Sequence, residues 1–169
     1  MNKYKKSISK HLTFIYTPMI IIIVALVICV INCTRCYTTS IKHYINKYYT
    51  MSGFSASVSD LSVELKKYTL IDSEFNLDSF TSKYDDMCES FDAVYEIRFE
   101  FDKADTERIE SINAAVTDKM PAIMYSIEKS EGDSKIIALY DFERYLSEIS
   151  NDVNRSISRL INKGNGTYY

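Results

Sequence analysis

The chain has 169 residues, of which 20 are basic and 23 acidic, for a formal net charge of −3. That balance argues against a nucleic-acid binder, which needs a positive surface. Four cysteines, three of them crowded between positions 29 and 36, form no disulfide framework. Only four Gly and two Pro occur, so turns are few and elements long.

Residues 1–11, MNKYKKSISKH, contain Lys3, Lys5, Lys6 and Lys10 and no acid. The apolar run LTFIYTPMIIIIVALVICVI follows at 12–31, without an Asp, Glu, Lys or Arg. Twenty helical residues at ~1.5 Å each cover the ~30 Å of a hydrocarbon core, so a transmembrane helix is expected over 12–33. The lysine excess before it predicts a cytoplasmic N-terminus, a single span in the cell membrane and a body outside. A cleaved signal peptide fits less well, because signal cores run ~7–15 residues and no small-x-small site follows. Cys33 lacks the small preceding residue of a lipoprotein cysteine, since Asn32 stands there. Cys33-Thr34-Arg35-Cys36 has C-x-x-C spacing, but a redox pair belongs at a helix N-terminus in a folded unit. On a continuous helix at the membrane exit these thiols read as incidental or as acylation sites.

Residues 37–169 hold 15 basic and all 23 acidic residues, a net of −8. Such a body does not lie flat on anionic lipid. An outer helix is expected from about Tyr37 to Ile71, with Ile41, Tyr44, Tyr48, Met51, Phe54, Val58, Leu61, Leu65 and Tyr68 as a heptad seam. The seam is shortened by one step near Gly53, a stammer. After a break at 70–74, capped by Asp72 or Ser73, a second helix is expected over Glu74–Phe99 on Leu77, Phe80, Tyr84, Met87, Phe91 and Val94. The alternating stretch Ile97–Phe101 has no partner strand and reads as a helix end before a turn at Asp102. A third helix, Lys103–Ser130, carries Ile109, Ile112, Val116, Met120, Ile123 and Ile127, with a kink predicted at Pro121. Gly132 terminates it, and Asp133 or Ser134 caps a fourth over Lys135–Asn162. Its inner face is expected to be Ile136, Leu139, Phe142, Leu146, Ile149, Val153, Ile157 and Leu160, with Lys163-Gly164-Asn165-Gly166 as the stop.

The expected fold is therefore all-α: one transmembrane helix followed by an antiparallel four-helix bundle over 37–163. Residues 164–169 are a tail whose Tyr168-Tyr169 returns to the bilayer. No catalytic, metal-binding or cofactor-binding constellation is present. A glycine-rich phosphate loop, G-x-S-x-G and H-E-x-x-H are all absent, and His11 and His43 flank the span on opposite sides. Asp85, Asp86, Glu107, Glu110 and Glu143 read as solvated helix faces. Arg98, Arg108, Arg144, Arg155 and Arg159 read as partners of nearby acids, or less simply as an anion site. The aromatic stripe Tyr44, Tyr48, Phe80, Tyr84 and Phe91 reads as core rather than a ligand pocket. Asn32, Asn154 and Asn165 head glycosylation-type triplets.

Two strings carry a resemblance: Ser59-Asp60-Leu61-Ser62-Val63-Glu64-Leu65-Lys66-Lys67-Tyr68, and Ile137-Ala138-Leu139-Tyr140-Asp141-Phe142-Glu143-Arg144-Tyr145-Leu146-Ser147-Glu148-Ile149. With the basic N-terminus and single span, they resemble the extracellular helical sensor region of Gram-positive membrane histidine kinases of the LytS/YesM type. The resemblance implies a signal-input region in two-component transduction, with a second span and the kinase downstream, and a homodimer as the working unit. It also implies an extracellular ligand or partner protein of unknown identity. No kinase residue can be carried over to this chain. A membrane-anchored adaptor or structural protein, or the outer domain of a chemoreceptor, are the alternatives.

Overall fold

A computed structural model describes residues 2–70 and 76–166, with side chains for 16–68 and 76–163. Every regular element among the described residues is helical. They are α1 (Asn2–Leu70), α2 (Leu77–Glu96), a 3-10 turn (Arg98–Glu100), α3 (Lys103–Ala114), a π turn (Ala115–Lys119), α4 (Met120–Lys129) and α5 (Gly132–Gly166). The chain divides into two compact units, Met1–His43 and Tyr44–Tyr169.

In the first unit every described side chain from Tyr16 to Ser40 is exposed. Ile20, Ile21 and Val30 show 59%, 61% and 63% of their surface. By length and composition this helix is apolar and long enough to cross a membrane. Thr34 returns its hydroxyl to the Val30 carbonyl at 2.8 Å, which satisfies a polar side chain beside the apolar run.

The second unit buries one apolar core, to which all its helices contribute. Met51, Phe54, Val58, Leu61 and Leu65 are buried as the heptad spacing requires, and Tyr44, Tyr48 and Tyr68 are half-buried at its edges. This seam is filled by the chain's own helices: Phe54 meets Phe91 with ring centroids 5.2 Å apart. A second copy would have to use another face. Phe80, Met87, Phe91 and Val94 of α2 face inward as expected. So do Ile109, Ile112, Val116, Met120 and Ile127, with Ile123 half-buried.

Element ends differ from expectation in instructive ways. The caps proposed at Asp72 and Ser73 lie outside the described residues. The cap at the start of α2 is Asn76, whose side chain accepts from Ser79 N–H at 3.0 Å. That helix stops at Glu96, and the stretch that alternates in sequence is a 3-10 turn. Asp102 then caps α3 by accepting from Asp105 N–H at 2.8 Å, which places the turn where it was expected. Helix α5 begins at Gly132, whose φ of +57° suits glycine. Asp133 and Ser134 consequently stand inside its first turn instead of preceding it. Its helical backbone continues through Gly164 to Gly166. Ile136 is 50% exposed and Ala138 is buried instead. At about 100° per residue, two successive steps of three from Phe142 carry Ile136 roughly 120° off the inner face.

Candidate functional site

The acids and arginines singled out by sequence make ion pairs and solvated surface. Asp85, Asp86, Glu107 and Glu110 are exposed, and Glu143 is half-buried. All five arginines have acidic partners: Arg98 with Glu110 at 3.1 Å, Arg108 with Asp105 at 2.6 Å, Arg144 with Asp141 at 3.4 Å, Arg155 with Asp152 at 3.9 Å and Arg159 with Asp105 at 3.7 Å. The aromatic stripe is core: Phe80 and Phe91 are fully buried, and Phe80 packs edge-on against Phe142 at 5.1 Å. Tyr44, Tyr48 and Tyr84 are half-buried around it. Among the described residues no group of His, Cys, Asp and Glu is placed to hold a metal ion.

Polar chemistry inside the second unit is concentrated at three places. The first is Glu64, 93% withdrawn from solvent. Its carboxylate accepts from Lys67 at 2.6 Å, from the Tyr68 hydroxyl at 2.7 Å and from Ser79 of α2 at 2.8 Å. These donors, Lys67 foremost, hold its pKa down at about 2 against an opposing desolvation. Tyr68 is pushed up, by burial and by donating to Glu64. One carboxylate thus ties the end of α1 to the first turn of α2.

The second place is Asp105, on the inner face of α3 and only 2% exposed. Arg108 reaches it at 2.6 Å from its own helix. From α5, the buried Ser156 donates at 2.9 Å and Arg159 lies 3.7 Å away. One turn back, Asp102 pairs with Lys163 of α5. Lys163, then the Asp105 N–H, hold Asp102 at about 2. The two acids therefore clamp the start of α3 to the last turns of α5. Asp105 takes its donors on Oδ1 and Asp102 takes one on each oxygen, an arrangement that fixes the helix ends.

The third place is the π turn. Pro121 has no N–H, and in an α register the carbonyl deprived of a donor would be Thr117. Here the Met120 N–H bonds to the Ala115 carbonyl, five residues back. In that register the missing donor falls on Val116, whose i+5 partner is Pro121. The Tyr84 hydroxyl of α2 donates to the Val116 carbonyl at 3.2 Å. Burial pushes Tyr84 well above the usual tyrosine range and pushes the neighbouring Cys88 thiol up as well, so both stay protonated donors at neutral pH. No buried side-chain polar atom among the described residues lacks a partner.

Sequence reasoning passed over Glu64, Asp105 and Ser156, yet the signal was available. Asp105 lies one α-helical step before Ile109 on the same face, and Ser156 continues Leu146, Ile149 and Val153 in steps of three and four. A charged or polar residue in phase with a buried stripe needs partners. The 3-10 turn is ordered by Arg98, whose guanidinium lies 3.9 Å from the Tyr95 ring centroid and 4.1 Å from that of Phe99. Comparison with protein-family models, with curated proteins and with solved structures finds nothing that matches this chain.

Proposed function

We propose that the chain is the membrane-anchored signal-input region of a sensor protein. In this reading the apolar stretch of α1 is a single transmembrane helix with its N-terminus in the cytoplasm. Residues 37–163 form an antiparallel four-helix bundle outside. The observation that supports it best is the contrast in exposure. Residues 16–31 are apolar and without protein cover, whereas the second unit hides a complete core and presents acids to solvent. A lipid surround suits side chains such as Ile21, Ile22 and Ile23. The basic segment before the run supports the orientation. A histidine kinase of the LytS/YesM type is the effector that the two sequence strings favour, and a ligand or partner protein would act by binding one helix arrangement more tightly than another.

Two measurements test this reading. Protease added to intact cells should remove the body and leave an N-terminal tag protected; a protected body overturns the orientation. Residues 1–169 should also support kinase output when placed ahead of the second span and kinase of a membrane histidine kinase. There Gly53→Ala with Pro121→Ala should change basal phosphorylation. Output indifferent to both substitutions favours an anchored adaptor, a reading that the exposed Phe99, Tyr125 and Tyr140 also accommodate.

A further inference from the structure

The wide turn at Ala115–Lys119 sits between two ordinary α-helices, α3 and α4, in a stretch without glycine. π turns are rare, cost hydrogen-bond geometry and recur where a helix must do more than span a distance. Pro121 makes two registers comparable here. In the π register the Pro ring is relieved of the carbonyl four residues back, and the deprived carbonyl is Val116, which is buried. A buried carbonyl without a donor is costly, so this register depends on the Tyr84 hydroxyl. In the α register the Met120 N–H would return to Val116, and the deprived carbonyl would be Thr117. That residue is exposed, so water can serve it. The price of the α register is instead the clash of the Pro ring with that carbonyl.

We infer that Ala115–Lys119 is an exchange point between two backbone registers, and that the Tyr84 hydroxyl selects the π form. Exchange moves every residue after it by one position, roughly 100° of rotation and 1.5 Å of travel for α4. Helix α4 packs on α5, and Ile123 and Met124 are both half-buried, so a neighbouring pair of apolar residues straddles the boundary that such a rotation would cross. The spacing Ile112–Val116–Met120 contains two steps of four in succession, one residue more than a heptad allows. The extra residue can be absorbed by a π turn or spread along an uninterrupted α-helix, and the apolar positions serve both. Only the consequence for signalling rests on the function proposed above; the register itself is a property of the isolated chain.

The test is nuclear magnetic resonance on the full isotope-labelled chain in detergent micelles, reading the coupling across backbone hydrogen bonds together with amide exchange. In the unaltered chain the Met120 N–H should couple to the Ala115 carbonyl. Tyr84→Phe keeps the ring and removes the donor; the coupling should move, wholly or in part, to Val116, and exchange over residues 117–124 should quicken about tenfold. Pro121→Ala, at an exposed position, restores an N–H and removes the ring, so the α pairing should predominate. Unchanged exchange at Phe91 and Ile149 shows that each variant is folded. If Tyr84→Phe perturbs the core, Pro121→Ala decides alone. A folded variant of either kind that keeps the Met120–Ala115 pairing, with unchanged exchange over 117–124, overturns the proposal.

Discussion

Helix α1 contains two regions that carry large apolar side chains, differ in composition and period, and behave in opposite ways. From Tyr16 to Ile31 nearly every residue is apolar, and all of them are exposed. From Met51 to Leu65 apolar residues recur in steps of three and four, and the five that mark the seam are buried. Period separates them, because a helix apolar all round has no polar face to turn to water and must be covered on every side. A striped helix needs only one neighbouring surface, and the second unit supplies it. Apolar spacing therefore separates a helix that needs cover all round from one that needs a single neighbouring surface.

Matched truncations put the largest strain on this contrast. Phe54 is fully buried against Phe91. Phe54→Ala should cost the second unit about 3–5 kcal/mol, through lost burial and the cavity left behind. Ile22 is 58% exposed within the apolar run. Ile22→Ala should leave the unfolding midpoint of the second unit where it is. Urea unfolding of the full chain in micelles, followed by near-ultraviolet circular dichroism, measures both. Equal losses would mean that the two regions share one cooperative structure.

How far the sequence discloses the molecule follows the same division. The all-helical character, the seam of α1 and the inner faces of α2 and α3 are legible because apolar residues repeat at helical spacing with few exceptions. Ile136 is not legible as exposed, because its apolar side chain continues a chain of short steps that rotation carries off the inner face. The π turn was half legible: Pro121 announced a disturbance, but a kink and a widened turn both relieve the same clash, and the choice depends on Tyr84, thirty-odd residues away in sequence. Asp105 and Glu64 are not legible as buried, because a charged residue on a helix ordinarily marks a solvated face. What made them tolerable inside, the donors from α5 and α2, is tertiary and cannot be read from either helix alone.

A middle-sized effect sharpens the contrast from the polar side. Glu64 is held near pH 2 by Lys67, Tyr68 and Ser79, below the ~4.3 expected when unfolded. Its stabilisation is complete above the unfolded pKa and is lost as pH falls through the folded one. Roughly 2 kcal/mol should therefore disappear between about pH 5 and pH 2, a figure reduced from the full shift because Lys67 is half exposed and screened. Asp102, also held at about 2, loses its contribution in the same window and in the same direction. Glu64→Gln should flatten part of the acid slope, and adding Asp102→Asn should flatten more. Thermal unfolding of the three proteins between pH 2 and pH 7 checks this; identical slopes would show that the helix-end clamps do not matter to stability. The apolar run, having no acid, contributes nothing to that slope.

The smallest effect lies within the seam itself, at Gly53. Its neighbours Met51 and Phe54 are both fully buried, only three residues apart, and this short step interrupts the heptad. Glycine would be needed there if the backbone were left-handed or if another chain segment pressed on it. Neither holds: no φ in the left-handed region occurs at Gly53, and a Cβ built on it meets nothing within 4 Å. Beyond the helical ladder, the Ser57 hydroxyl makes a long bond to the Gly53 carbonyl at 3.4 Å. Gly53→Ala should accordingly gain about 0.5–1 kcal/mol by lowering the entropy of the unfolded chain, raising the midpoint by a few degrees. A loss instead of a gain would mean that the short step stores strain which glycine relieves. The irregularity of the seam would then be a built-in weak point in α1, rather than a break in pattern that packing absorbs at no cost.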